Sequence, residues 1–127
     1  MKTSYYKKFS MLTEDEKGKY LPIAISLTIP YWFEECNIQI TELAPTPEVF
    51  KKYRANIITE QDFVTEYIDS ISHWVNLEGI IDYLYMLEEA TNKEVVLLCY
   101  EKSDDFCHRH ILRNFLNNRH HLNIEEL

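Results

Sequence analysis

The chain has 127 residues, 46% hydrophobic and 13% aromatic, enough apolar material for one core without disulfide or metal staples and too much for disorder. Thirteen basic against 21 acidic side chains leave a formal net charge of −8, which argues against non-specific binding to nucleic acid or to an anionic membrane and favours a small-molecule ligand or a basic protein partner. Gly18 and Gly79 are the only glycines, where ordinary usage of about 7% would supply about nine, so Walker loops and dinucleotide fingerprints are excluded.

In chain order, residues 3–6 are β-prone and predict a first strand. Thr13-Glu14-Asp15-Glu16 reads as a capping box opening a short helical turn that ends at Gly18. Residues 22–29, apolar and β-branched with polar breaks at Ser26 and Thr28, predict a second strand stopped by Pro30. An aromatic loop follows over residues 31–43, with a short strand at 37–41. Thr46 is a fitting N-cap and Pro47 a fitting first helical residue for a helix carrying Val49, Phe50 and Tyr53 on one face.

Thr59 caps the next helix, whose stripe is Phe63, Val64, Tyr67, Ile68, Ile71, Trp74 and Val75. A further helix at 77–91 carries Leu77, Ile80, Ile81, Leu84 and Leu87. Residues 95–100, apolar without a break and bounded by charges, read as a strand covered on both faces, as in parallel sheets. A polar turn (101–105) and a last helix (106–118) complete the pattern, with a polar tail at 118–127 in which His120, His121, Glu125 and Glu126 are solvated. The order predicts one α/β domain over 1–127: a small, mostly parallel sheet flanked by helices in three layers, Rossmann-like in plan.

No apolar run approaches the roughly 18 residues of a membrane span, and residues 1–10 lack a signal-peptide apolar core. Cys36, Cys99 and Cys107, an odd number, imply no disulfide framework. A reducing, cytoplasmic setting is the expectation.

Ligands in open α/β sheets bind beyond the carboxyl ends of strands, where helices begin. That rule points at residues 98–110, which hold Cys99, Tyr100, Glu101, Lys102, Asp104, Asp105, Cys107, His108, Arg109 and His110. The last helix has its apolar face at Ile111, Leu112, Phe115 and Leu116. Cys107 and His108 each lie four residues before a member of that face and should point inward. His110, with Asn114 and Asn117, falls on the outer side, and Arg109 and Arg113 share a flank.

Cys107 in the first helical turn would feel the helix dipole, which favours thiolate, while Asp104 and Asp105 oppose it. The functional expectation is a Cys107 nucleophile with His108 or Glu101 moving protons and Arg109 holding an anion, and the bland one is a buried cysteine beside a hydrogen-bonded histidine. Tyr100, Lys102, Cys99 and Ser4 are further ligand-binding candidates, and Ser26 is a weaker one. A zinc site from Cys99, Cys107 and His108 is a third option, with His110 carried away from the set by its phase, and C-x7-C-H-x-H matches no standard finger. Glu101 paired with Arg109 on the surface is the plain alternative to a proton-transfer role.

Residues 95–102 followed by 105–110, reading Cys-Tyr-Glu-Lys and then Cys-His-Arg, closely resemble the signature of the domain-of-unknown-function 488 family. Thr3-Ser4-Tyr5-Tyr6, Pro30-x-Trp32-Phe33 and Leu43-Ala44-Pro45-Thr46 extend the resemblance over about residues 3–117. It implies a small bacterial, archaeal or phage α/β protein whose family has no established activity. The family's recurring residues match Ser4, Cys99, Glu101, Cys107, His108 and Arg109. Many relatives carry basic residues where this chain has Leu27 and Tyr31, which implies a lost or altered ligand if those groups hold one.

The leading expectation is therefore a site for a small anionic ligand, a nucleotide or phosphorylated compound, at 99–110, with Cys107-dependent chemistry. A non-catalytic accessory protein engaging a basic partner through its acidic surface, and a Cys/His metal-binding protein, are the alternatives. No cofactor follows from the sequence.

Overall fold

Residues Glu94–Cys99 form β4, the middle strand of the sheet, and this position explains their unbroken apolar character. Val95 and Leu97 enter one core and Val96 and Leu98 the other, all without solvent exposure. In the computed structural model, which describes residues 1–73 and 75–127, β1 (Lys2–Tyr5) and β2 (Tyr20–Ala24) flank β4, with β3 (Ile38–Gln39) outside β2 and β5 (Glu125–Glu126) outside β1. Each of these four pairings is parallel. Trp74, expected on an apolar helix stripe, lies outside the described residues.

The helices divide between the two faces. On one side α1 (Tyr6–Ser10) brings Tyr6 and Phe9 against Ala24, Val96 and Leu98, joined by Phe33 from the aromatic loop. On the other, α4 (Glu60–His73), α5 (Leu77–Thr91) and α6 (His108–Arg119) bury Phe63, Tyr67, Ile71, Leu84, Leu112 and Leu116 against Ile23, Val95 and Leu97. The centre of each of these expected stripes is core, whereas Val64, Ile68 and Val75 at the margin of the first are half-buried, and the architecture is three-layered α/β.

Local signals set the helix ends. Thr13 and Glu16 form the expected capping box on α2 (Glu14–Lys17). At the start of α3 (Pro47–Arg54), Thr46 accepts the Val49 N–H at 3.3 Å. Thr59 and Asp62 bond reciprocally at 3.1 Å before α4. Asn92, in the left-handed region with φ 55°, stops α5.

Several boundaries differ from expectation. The first strand ends at Tyr5, and α1 follows it directly because Tyr6 and Phe9 are needed on the small face. β2 spans Tyr20–Ala24 rather than 22–29. After the Ile25 N–H bonds the Leu98 carbonyl, the chain turns away, and the Gln39 side-chain amide donates to the carbonyls of Ser26 and Leu27 at 3.0 and 3.1 Å. α6 begins at His108, so Cys107 is its N-cap instead of a first-turn residue.

The expected polar, solvated tail at 118–127 is corrected more fully. Ile124 is buried, Asn117 exchanges two hydrogen bonds with its backbone at 2.8 and 3.0 Å, and Glu125–Glu126 pairs with β1. The outer flank of α6 is therefore covered by the chain's own last residues.

Candidate functional site

β4 ends at Cys99 and α6 starts at Cys107, so the turn between them crosses the carboxyl edge of the sheet and returns at a helix N-terminus. The geometry draws the two cysteines together. Their sulfurs are in contact, with both residues almost fully buried. Their Cα atoms are 7.9 Å apart, wider than the roughly 4.4–6.8 Å that disulfides span, a spacing that suits two thiols. Cys107 Sγ also accepts the Arg109 backbone N–H at 3.4 Å, as a capping side chain does.

His108 is 7% exposed. Its Nε2 lies 2.7 Å from the Ile25 carbonyl, and a carbonyl only accepts, so Nε2 carries the hydrogen. The neutral ring then has its lone pair on Nδ1, 3.9 Å from Cys107 Sγ. Burial holds the imidazole pKa down at about 4, the Arg109 charge helping and the Ile25 hydrogen bond opposing. At neutral pH, Nδ1 is a base or a donor atom for a metal. Cys99, Cys107 and His108 place one ligand atom each within 4.8 Å of one another, and His110 stands outside this group.

Arg109 does not face the solvent as an anion holder. It has no exposure: Nε and Nη2 grip the Glu126 carboxylate at 3.2 and 2.9 Å, and Nη1 donates to the Glu101 carbonyl and to Cys99 Sγ, both at 2.8 Å. The expectation that Arg109 holds a ligand's charge is corrected on this ground, and the surface Glu101–Arg109 ion pair is replaced by a bond to the Glu101 backbone. Burial would raise the Glu126 carboxyl. The Thr3 hydrogen bond, the Arg109 charge and the Ser103 hydroxyl outweigh it and hold the pKa below the usual carboxylate value.

His110 is half-buried rather than solvated, with its Nε2 3.4 Å from Arg109 Nη2. Burial first, then the Arg109 charge, lowers its pKa. Lys102 is exposed in the turn. Ser4 is fully buried on β1, its hydroxyl without a hydrogen-bond partner among the described residues. Its register opposite Leu98 puts it on the α1 side of the sheet, away from Cys107.

A cleft of about 490 Å³ opens at the carboxyl edge between the turn after β2, α3 and the turn after β4. Leu27, Pro45 and Phe50 supply its apolar wall, Ser26, Thr28 and Tyr100 its hydroxyls, and Arg54, Glu101 and His108 its ionisable groups. Tyr6 donates to Ser26 and Ser26 to the Thr28 carbonyl, both at 2.6 Å, while the Tyr100 and Thr28 hydroxyls are 3.0 Å apart. The Arg54 guanidinium lies over the Phe50 ring, 5.5 Å from its centroid.

Glu101 and His108 are shared with a recess of about 30 Å³ that reaches Cys107. The sequence reading did not name Arg54, took Phe50 as a member of an apolar helix face and took Glu126 as solvated. Phe50 and Arg54 are four apart on a helix whose capped N-terminus lies at this edge, a spacing that could have paired them. Glu126 carried no local signal.

The fold and site together define a parallel-sheet α/β protein with a carboxyl-edge cleft lined by His108, one member of a buried Cys–Cys–His cluster. Comparison places it more closely. Residues 9–120 match the DUF488-N3a family, described as the active DUF488-N3 subclade, and the chain belongs to this family. No curated protein and no solved structure matches it. No helix among the described residues is long and apolar enough to cross a membrane.

Proposed function

We propose that the carboxyl-edge cleft binds a small phosphorylated ligand of about nucleotide size, and that chemistry on this ligand depends on Cys107 and His108. The observation that carries the reading is that the 490 Å³ cleft and the recess at Cys107 share Pro45, Phe50, Glu101 and His108 as walls. That volume lies within the roughly 300–1,000 Å³ of small-molecule sites, and its position obeys the carboxyl-edge rule for parallel sheets.

Arg54 supplies the positive charge for a phosphate. Phe50 and Tyr100 offer aromatic surface to a flat group such as a base, and the hydroxyls of Ser26, Thr28 and Tyr100 offer hydrogen bonds to a sugar. Neutral His108, with a lone pair on Nδ1, and the Glu101 carboxyl are the groups placed to move a proton. The description of the subclade as active agrees with a reacting centre rather than with binding alone.

The test is isothermal titration with nucleoside mono-, di- and triphosphates, ribose 5-phosphate and inorganic phosphate. At least one organic phosphate should bind, and Arg54→Ala should weaken it about tenfold, equivalent to about 1.4 kcal/mol. Absence of binding by every member at millimolar concentration, or equal affinity in Arg54→Ala, would overturn the assignment.

A further inference from the structure

We infer that Cys99, Cys107 and His108 form a three-ligand site for a thiophilic divalent cation, zinc in the first place, with the fourth position open to the recess beside Cys107. The proposal names the part Cys107 plays in the chemistry proposed above and, with the ion bound, makes His108 Nδ1 a ligand and leaves proton transfer to Glu101, but the cation site stands on its own geometry.

Three features point to an ion rather than to incidental packing. The ligand atoms come from two rigid elements, the end of β4 and the start of α6, and lie within 4.8 Å of one another. The Cα atoms of Cys99 and Cys107 are 7.9 Å apart, wider than the roughly 4.4–6.8 Å of a disulfide, a spacing that leaves room for an ion between the sulfurs. His108 meets the outer requirement of a metal-bound imidazole: Nε2–H is fixed on the Ile25 carbonyl at 2.7 Å, which leaves Nδ1 free and orients the ring.

The sulfurs are likewise surrounded by donors, as metal-bound thiolates are. Arg109 Nη1 reaches Cys99 Sγ at 2.8 Å and Cys107 Sγ at 3.9 Å, and the Arg109 backbone N–H reaches Cys107 Sγ at 3.4 Å.

Charge decides for a divalent ion. The guanidinium of Arg109 would repel a cation, but it is neutralised by the paired Glu126 carboxylate. Two thiolates then balance one dication, leaving the buried cluster neutral, whereas a monovalent ion would leave it negative. The recess of about 30 Å³ beside Cys107 and His108 has room for a water in the fourth position. Three protein ligands with one open position is the arrangement of catalytic rather than structural zinc.

The experiment uses the full chain, stripped of metal and kept reduced with a phosphine, titrated with Co²⁺ and then with Zn²⁺. The expected result is a thiolate-to-cobalt charge-transfer band with visible bands of tetrahedral intensity, saturating at one ion per chain and displaced by zinc. X-ray absorption of the zinc form should show two sulfurs at about 2.3 Å and a nitrogen at about 2.0–2.1 Å.

Cys99→Ser and Cys107→Ser should each weaken binding by more than the roughly 10–100-fold that loss of an outer partner costs, while Cys36→Ser should keep the spectrum. Should the ligand variants fail to fold, the wild-type spectra decide. No charge-transfer band in the folded, reduced protein, only nitrogen and oxygen neighbours at zinc, or loss of the band in folded Cys36→Ser would overturn the inference. The cobalt spectrum is read without any nucleotide, so it can succeed where the cleft reading fails, and the reverse.

Discussion

Arg109 keeps its charge with no exposure to water, so the two oxygens of Glu126 determine what that burial costs. Removing one partner of a buried pair leaves the other uncompensated. Glu126→Gln should therefore lower the unfolding free energy by about 3 kcal/mol or more, read by urea denaturation at neutral pH. The same carboxylate predicts a pH effect. Its folded pKa lies below the ordinary 4.5, so near that pH the unfolded chain binds the proton more readily. Its contribution is fully present above 4.5 and is lost as pH falls through the folded value. Glu126→Gln should show a shallower loss of stability over that acid range, measured as denaturation midpoint against pH.

Two serines separate satisfied from unsatisfied burial. Ser4→Ala removes a buried hydroxyl that has no partner among the described residues, and should leave stability unchanged or raise it by up to about 1 kcal/mol. Ser26→Ala takes away the acceptor of the buried Tyr6 hydroxyl and should cost about 1–3 kcal/mol in the same assay.

At the scale of elements, the helices from Pro47 to Thr91 were legible from their apolar stripes, the first two also from the capping residues Thr46 and Thr59. Thr46→Ala should accordingly cost about 1 kcal/mol through the start of α3. α6 was legible in its apolar face, and Leu112→Ala, at a fully buried site, should cost about 2–5 kcal/mol by thermal or chemical denaturation. What was missed is short. α1 has five residues, and β3 and β5 two each, too few to show a period. β5 forms only because β1 leaves an edge for it and Asn117 holds the backbone of Ile124. Ending the chain after Asn123 should destabilise the protein by at least as much as Glu126→Gln, since it removes both the carboxylate and the buried Ile124.

Over the whole molecule, the sheet order β3-β2-β4-β1-β5 puts the strongest apolar strand in the centre and the weakest at the edges. Hydrogen exchange should be slowest at the amides of β4 and fastest, among the strands, at β3 and β5, as mass spectrometry of the native protein would show. Equal protection of β4 and β5 would contradict this order. The same arrangement gathers the ends of β2 and β4 and the starts of α3 and α6 around one cleft, where the cation is Arg54 rather than the arginine of the Cys-His-Arg motif.

By itself, the sequence determined the α/β class, the central strand and most of the helix stripes, and it pointed to the junction of residues 99–110, beside which the cleft opens. Hydrophobic period, capping residues and helix-start chemistry are local, so they can be read from neighbours along the chain. Only the tertiary structure decided that Arg109 closes on Glu126, that Cys99 meets Cys107 and His108, and that Arg54 and Phe50 face the cleft. Each of these depends on which side chains two separately formed elements bring into contact, and on whether a buried charge finds its partner, and neither has a signature within a single segment.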